Sequence, residues 1–207
     1  MNRKKRSQLV HAALNQLFPN PKISLHYKDP FTLLVAVLLS AQCTDERVNK
    51  VTPLLFAKAS TPKEMIKLRV DEIQEIIFSC GLSLTKARAI KETAQILVER
   101  FGSEVPNNFT DLESLPGVGH KTASVVLAQG FSLPAFPVDT HIFRVARRWG
   151  LSQGKTVTAV EKDLKKLFAE KEWATLHLQM ILFARQYCPA KNHNPARCPI
   201  CSQLSAV

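Results

Sequence analysis

Between Arg88 and Phe101 the apolar residues Ile90, Ala94, Leu97 and Phe101 recur at spacings of four, three and four. Such spacing marks one face of an α-helix, so the pattern predicts an amphipathic helix with a buried stripe. Val160, Leu164 and Leu167 follow the same rule, as do Leu176, Met180, Phe183 and Tyr187. No run of strict apolar–polar alternation, the mark of a half-buried strand, accompanies them. Proline and glycine interrupt the chain at Pro19–Pro21, Asp29–Pro30, Thr61–Pro62, Gly81, Pro106, Pro116–Gly119, Pro134–Pro137 and Gly150–Gly154. The interruptions leave about ten short helices with brief connections. The expected fold class is all-α, with no internal repeat and no low-complexity tract.

With 207 residues, 45% of them hydrophobic, the chain can bury a core and is not polar enough for disorder beyond its ends. Charge changes the picture more. There are 28 Lys and Arg against 17 Asp and Glu, a formal charge of +11. Such an excess attracts polyanions such as nucleic acid or an anionic membrane surface, although a solubilising surplus would look the same. The longest apolar run, Leu33 to Leu39 extended by small residues to Ala41, is far short of the roughly 20 residues of a membrane span. The start, MNRKKRSQLV, leads into an amphipathic stretch rather than a signal-peptide core, so an intracellular protein without a membrane partner is expected. Those first basic residues read equally as a phosphate contact and as a solvated helix terminus. Of the five cysteines, Cys43 and Cys80 lie in apolar helical surroundings and read as core. A reducing compartment argues against a disulfide framework, and the crowding of Cys188, Cys198 and Cys201 near the C-terminus calls for another explanation.

Residues 115–119 read Leu-Pro-Gly-Val-Gly, followed by His120-Lys121-Thr122-Ala123. Upstream, Thr110 to Ser114 predicts a short helix with Thr110 as N-cap and Glu113 completing a capping box. Downstream, Thr122 to Gln129 predicts a second helix. Glycine permits positive φ and close backbone approach, so Leu115, Gly117, Val118, Gly119 and His120 form a tight turn whose N–H groups point outward. N–H groups at the start of a helix bind a phosphate oxygen regardless of base sequence. An isolated Gly-x-Gly would read as an ordinary turn; the full string in a basic protein reads as a helix–hairpin–helix DNA-binding element.

Lys121 falls in the first turn of the second helix, where the partial positive charge disfavours an ammonium and burial would act in the same direction. A free amine there is a nucleophile able to form a Schiff base; a lysine reaching for DNA phosphate is the competing reading. In Pro137-Val138-Asp139-Thr140-His141-Ile142-Phe143-Arg144-Val145 the proline sets an extended approach, and Asp139 caps a helix running to about Trp149. The cap reading stands beside a functional one, in which the carboxylate stabilises positive charge developing on a sugar.

LPGVGHKTASVVL and VDTHIFRVARR together resemble the endonuclease III family of DNA glycosylases and abasic-site lyases, in the helix–hairpin–helix superfamily. The likeness extends over nearly the whole chain, including Pro30-Phe31-x-Leu-Leu-Val-Ala-Val-Leu-Leu-Ser-Ala-Gln42-x-Thr44-Asp45 and Gly81-Leu82 with Lys86-Ala87. The resemblance implies two helical lobes with a DNA-binding cleft between them. Residues 23–133 would form a central lobe with the hairpin; residues 1–22 and 134–207 would form a second lobe with a cysteine loop. It implies double-stranded DNA with damaged bases or abasic sites as partner, a monomer, and a cytoplasmic, nucleoid-associated location. An oxidised pyrimidine would be flipped into the site, Lys121 would attack C1′ and cut the strand by β-elimination, and Asp139 would assist departure of the base. Gln42 and Leu82 match positions that fill the gap left by the flipped nucleotide; their bland readings are a helix-terminal polar residue and a core leucine. Relatives without a lysine at position 121 release the base by activating water, without strand cleavage.

The family usually ends in a Cys-x6-Cys-x2-Cys-x5-Cys loop that holds a 4Fe–4S cluster. Here nine residues separate Cys188 from Cys198, Cys201 follows, and the place of the fourth cysteine is taken by Val207. Three readings compete: a 4Fe–4S cluster with another ligand, such as His193, water or a thiolate from elsewhere; a loop without metal; or zinc held by Cys188, Cys198, Cys201 and His193. Lys191 and Arg197 make the loop basic, which suits DNA contact or simple solvation. Two other functions remain in view. One is a related glycosylase acting on mispaired adenine, against which Lys121 and the absence of a further C-terminal domain argue; the other is a non-catalytic helix–hairpin–helix DNA-binding module.

Overall fold

The computed structural model of the protein describes residues 1–205; Val207, the position expected for a fourth cysteine, lies outside the described residues. Among the described residues the chain is all-α, with no strand. It divides into two compact units: an internal unit, Ile23–Leu133, and a terminal unit, Met1–Lys22 with Pro134–Val207.

The internal unit contains α2 (Pro30–Ser40), α3 (Asp45–Lys58), α4 (Pro62–Met65), α5 (Val70–Ile77), α6 (Ser83–Arg100), α7 (Phe109–Glu113) and α8 (His120–Val125). Helix α2 is its core. Every residue from Phe31 to Leu39 is buried, which fits a helix that is apolar on all sides. Its start is fixed locally. Pro30 supplies a helical φ, and Asp29 Oδ1 accepts the Thr32 N–H at 2.8 Å. Among the described residues no helix is long and apolar enough to cross a membrane. On α6 the stripe read from the sequence is buried at Ile90, Ala94 and Leu97, and Phe101 closes the helix as a partly buried C-cap.

Two details of the hairpin differ from the sequence reading. The cap of α7 is Asn108, whose side chain accepts the Asp111 N–H at 2.9 Å; Thr110 lies inside the helix. Asparagine, with its short carbonyl arm, serves the cap and moves the start upstream. The second helix begins at His120, not Thr122, because Gly119 acts as cap and its carbonyl accepts the Ala123 N–H at 3.0 Å. It then widens into a π-turn over Val126–Gly130.

The terminal unit contains α1 (Arg3–Leu17), α9 (Thr140–Arg148), α10 (Val157–Leu167), α11 (Trp173–Gln186) and α12 (Cys201–Ser205). Its core gathers Leu14 of α1, Val145 of α9, Leu164 of α10 and Leu176, Met180 and Phe183 of α11 around Trp149. The Trp149 and Phe183 rings meet edge to face, centroids 5.4 Å apart. The basic start of α1 is partly engaged within this unit: Arg3 lies 3.6 Å from Asp163, and Arg6 donates to the Trp149 carbonyl at 3.3 Å.

One lysine is inside. Lys86 on α6 is 7% exposed, and its Nζ donates to the carbonyls of Leu39 at 2.9 Å and Cys80 at 2.8 Å. These belong to the end of α2 and the turn before α6, so one side chain ties two helix ends together. Lys86→Met keeps the stem but leaves two buried acceptors without a donor. The expected loss is about 2–4 kcal/mol of stability, read as a lower urea midpoint. An unchanged midpoint contradicts the staple.

Candidate active site

In the hairpin the two glycines do different jobs. Gly117 has φ +75°, and a Cβ there would stand 3.2 Å from Leu38 Cδ2, so conformation and packing both select glycine. Gly119 has φ −92°, which any residue adopts, and nothing of the chain lies within 4 Å of where its Cβ would be. The side chains of Leu115 and Val118 are buried and anchor the turn. The outward-pointing N–H row needs one correction, since the Val118 N–H is spent on the Leu115 carbonyl at 3.1 Å. The N–H groups of Gly117 and Gly119 have no acceptor among the described residues. His120 joins the two helices of the hairpin: its Nδ1 is 2.7 Å from Glu113 Oε1, and its ring stacks on Phe109 at 5.0 Å.

Lys121 follows as the second residue of α8, with an exposed side chain. The side chain is therefore not sealed inside the chain's own packing. Its position in the first helical turn remains.

Gln42 and Leu82 lie in two short turns of the same unit, Gln42 after α2 and Leu82 before α6. Both are non-glycine residues at positive φ, +54° and +48°. Each such backbone costs about 1 kcal/mol or more and persists only where the surroundings impose it. Lys86 grips the carbonyls that precede both turns. Leu82 is 60% exposed, which removes the core-leucine reading. Nearby in sequence, Phe78 is 72% exposed. Sequence reasoning passed over it, because an aromatic residue after a helix normally reads as core. Cys43, in the turn of Gln42 and half-buried rather than the core residue expected, meets buried Cys80; burial first, then Cys43, pushes the Cys80 thiol up to about 11.

In the terminal unit, Asp139 is the N-cap of α9, with Oδ1 accepting the Ile142 N–H at 2.8 Å. The carboxylate is half-buried. The segment leading to it is held firmly: Ala135, Phe136 and Val138 are buried, and buried His177 of α11 donates from Nδ1 to the Pro137 carbonyl at 2.8 Å. Sequence reading missed His177, since a lone histidine in a helical stripe carries no signal of its partner.

The cysteine loop of this unit brings Cys188, His193, Cys198 and Cys201 together, with one donor atom of each within 4.8 Å of all the others. Arg148 of α9 donates to Cys188 Sγ at 3.2 Å and to the Pro189 carbonyl at 3.0 Å, and Arg144 donates to the Cys188 carbonyl at 3.0 Å. The hydrogen bond from Cys201, with Arg148 helping, holds the Cys188 thiol down at about 5. The same bond, and burial after it, push the Cys201 thiol well above its usual range. Lys191 and Arg197 of the loop are exposed.

A family model described as HhH-GPD superfamily base excision DNA repair protein matches residues 35–170. The endonuclease III of Treponema pallidum (strain Nichols) is 46% identical over 195 residues, 93% of this chain and 92% of that protein. That of Escherichia coli (strain K12) is 42% identical over 200 residues, 97% of this chain and 94% of that protein. Among solved structures, a trapped endonuclease III–DNA covalent intermediate with an estranged adenine matches with a TM-score of 0.92 and 40% identity, over 97% of this chain and 94% of that chain. Likeness of this degree, over nearly the full length of both partners and reaching through hairpin, carboxylate helix and cysteine loop alike, places the chain in the endonuclease III family of the HhH-GPD superfamily of base excision DNA repair proteins.

Proposed function

We propose that this protein excises oxidised pyrimidines from double-stranded DNA and cleaves the strand 3′ to the resulting abasic site, with Lys121 as nucleophile. The observation that carries the reading is an exposed lysine amine in the first turn of the hairpin helix, two residues after a glycine whose Cα faces open space. A residue with φ −92° has no conformational need to be glycine, and the space its missing Cβ leaves open admits close approach by a group from outside the chain. A phosphate oxygen accepting the Gly117 and Gly119 N–H groups fits that space. An endonuclease III 40% identical to this chain has been trapped as a covalent intermediate with DNA, which is the kind of intermediate a lysine nucleophile forms. The family makes the non-catalytic module the weaker reading.

The steps follow from ordinary imine chemistry. With the damaged nucleotide flipped out, Leu82 and Gln42 take up the space left in the duplex. Lys121 Nζ, as the free amine, bonds to C1′ while the bond from C1′ to the base breaks, and the base leaves carrying the proton that the attacking nitrogen gives up. Opening of the sugar ring gives a protonated imine. Loss of the C2′ proton to solvent then expels the 3′ phosphate, and water releases the lysine. Asp139 contributes a negative charge, fixed in place by the α9 cap, against the positive charge that develops on the sugar. Lys191 supplies a backbone contact from the cysteine loop. No step passes through a metal.

Strand cleavage of a duplex with an oxidised pyrimidine is expected to fall by about a thousandfold or more in Lys121→Ala, measured by gel assay, while duplex affinity stays within about twofold. Cleavage at the unmutated rate contradicts the assignment. Asp139→Asn retains an acceptor for the Ile142 N–H but removes the charge. Single-turnover base release is expected to slow by about a hundredfold or more, with DNA affinity and melting temperature nearly unchanged. An equal loss of binding shows that the carboxylate serves the interface instead.

A further inference from the structure

The four donors of the cysteine loop are too close together for an iron–sulfur cube and correctly spaced for one ion. In a cube each thiolate binds a different iron at its own corner, which separates the ligating atoms by roughly 6 Å. A single tetrahedral ion with thiolate bonds of about 2.3 Å and an imidazole bond of about 2.0 Å sets sulfurs about 3.8 Å apart and sulfur from nitrogen about 3.5 Å. In the structure Cys188 Sγ is 3.9 Å from Cys201 Sγ and 3.5 Å from His193 Nε2, and none of the four donor atoms is more than 4.8 Å from another. We infer that Cys188, His193, Cys198 and Cys201 bind a single tetrahedral divalent ion of the zinc class, in place of a 4Fe–4S cluster.

Chain spacing agrees. The ligands read Cys-x4-His-x4-Cys-x2-Cys, so the longer gap after Cys188 is the stretch that carries His193, and the set is complete without any residue beyond Cys201. The remaining cysteines, Cys43 and Cys80, belong to the internal unit and are engaged with each other. Surroundings agree too. Three thiolates and a neutral imidazole around a dication leave one net negative charge, and the Arg148 guanidinium donates to Cys188 Sγ at 3.2 Å. That is the outer support expected of a structural metal site. The three cysteines are buried, and a cavity lined by Arg6, Arg148, His193, Pro195, Cys201 and Leu204 gives an ion a way in to His193 and Cys201. Binding displaces the thiol protons and fixes the loop bearing Lys191 against α9.

The test is metal and sulfide analysis of the full-length protein purified without air, before and after incubation with iron and sulfide. About one zinc per chain, and no sulfide in either sample, is expected. Cobalt in place of zinc should give the intense visible bands of a tetrahedral thiolate site. His193→Ala should weaken zinc binding by about tenfold or more, and His193→Cys should keep it, which separates loss of a ligand from loss of the fold. About four irons with matching sulfide in the purified or reconstituted protein overturns the inference. So does a chain that takes up no zinc, or a His193→Ala variant that holds zinc as tightly as the unmutated protein.

Discussion

An α-helix leaves N–H groups unpaired at its start and carbonyls unpaired at its end, and a chain of many short helices must satisfy many such ends. The residues on which the proposed chemistry rests all lie at these places. Asp139 caps α9, Gly119 caps α8 with Lys121 just behind it, Leu82 precedes α6, and Gln42 follows α2. A helix end is where a side chain or N–H group can be held rigidly by regular structure and still meet a ligand. That combination suits short helices and brief turns to the proposed chemistry.

The same constraint accounts for part of the positive charge. Lys86 satisfies the carbonyls of Leu39 and Cys80, Lys91 that of Leu68, Arg6 that of Trp149, and Arg144 those of Ala184 and Cys188. These cations are scaffold and, apart from Lys91, whose acceptor lies in the turn before α5, sit where the carbonyl ends of helices favour them. Helix α9 shows what the scaffold does. Its first turn fixes the Asp139 carboxylate, while Arg144 and Arg148 further along it grip the start of the cysteine loop. Within the terminal unit, one rigid element thus links the proposed electrostatic group to the proposed metal site.

Much of this was legible in the sequence, because helical periodicity and proline–glycine punctuation are local signals. The stripes at Ile90–Leu97 and Leu176–Phe183 are buried as expected, the all-α class follows from them, and Asp139 caps the helix assigned to it. What escaped depends on contacts remote in sequence. Lys86 looks like a surface lysine until the ends of α2 and the turn at Cys80 are brought to it. Gln42 and Leu82 carry no residue signature of positive φ, which glycine or asparagine would have given. Asn108 took the cap assigned to Thr110, a choice between two good capping residues that the sequence alone leaves even. His193 could be named as a possible ligand, but the closeness of its Nε2 to Cys188, and of Cys188 to Cys201, on which the inference of a single ion rests, is set by the folded loop.

The central claim is a covalent bond between Lys121 and the sugar, and locating that bond tests it most directly. The unmutated protein would be mixed with duplex DNA containing an abasic site, reduced with borohydride, digested, and mapped by tandem mass spectrometry. A sugar remnant on the Lys121 side chain is the expected result. A remnant on the N-terminal amine or on another lysine, or no remnant at all, would contradict the account.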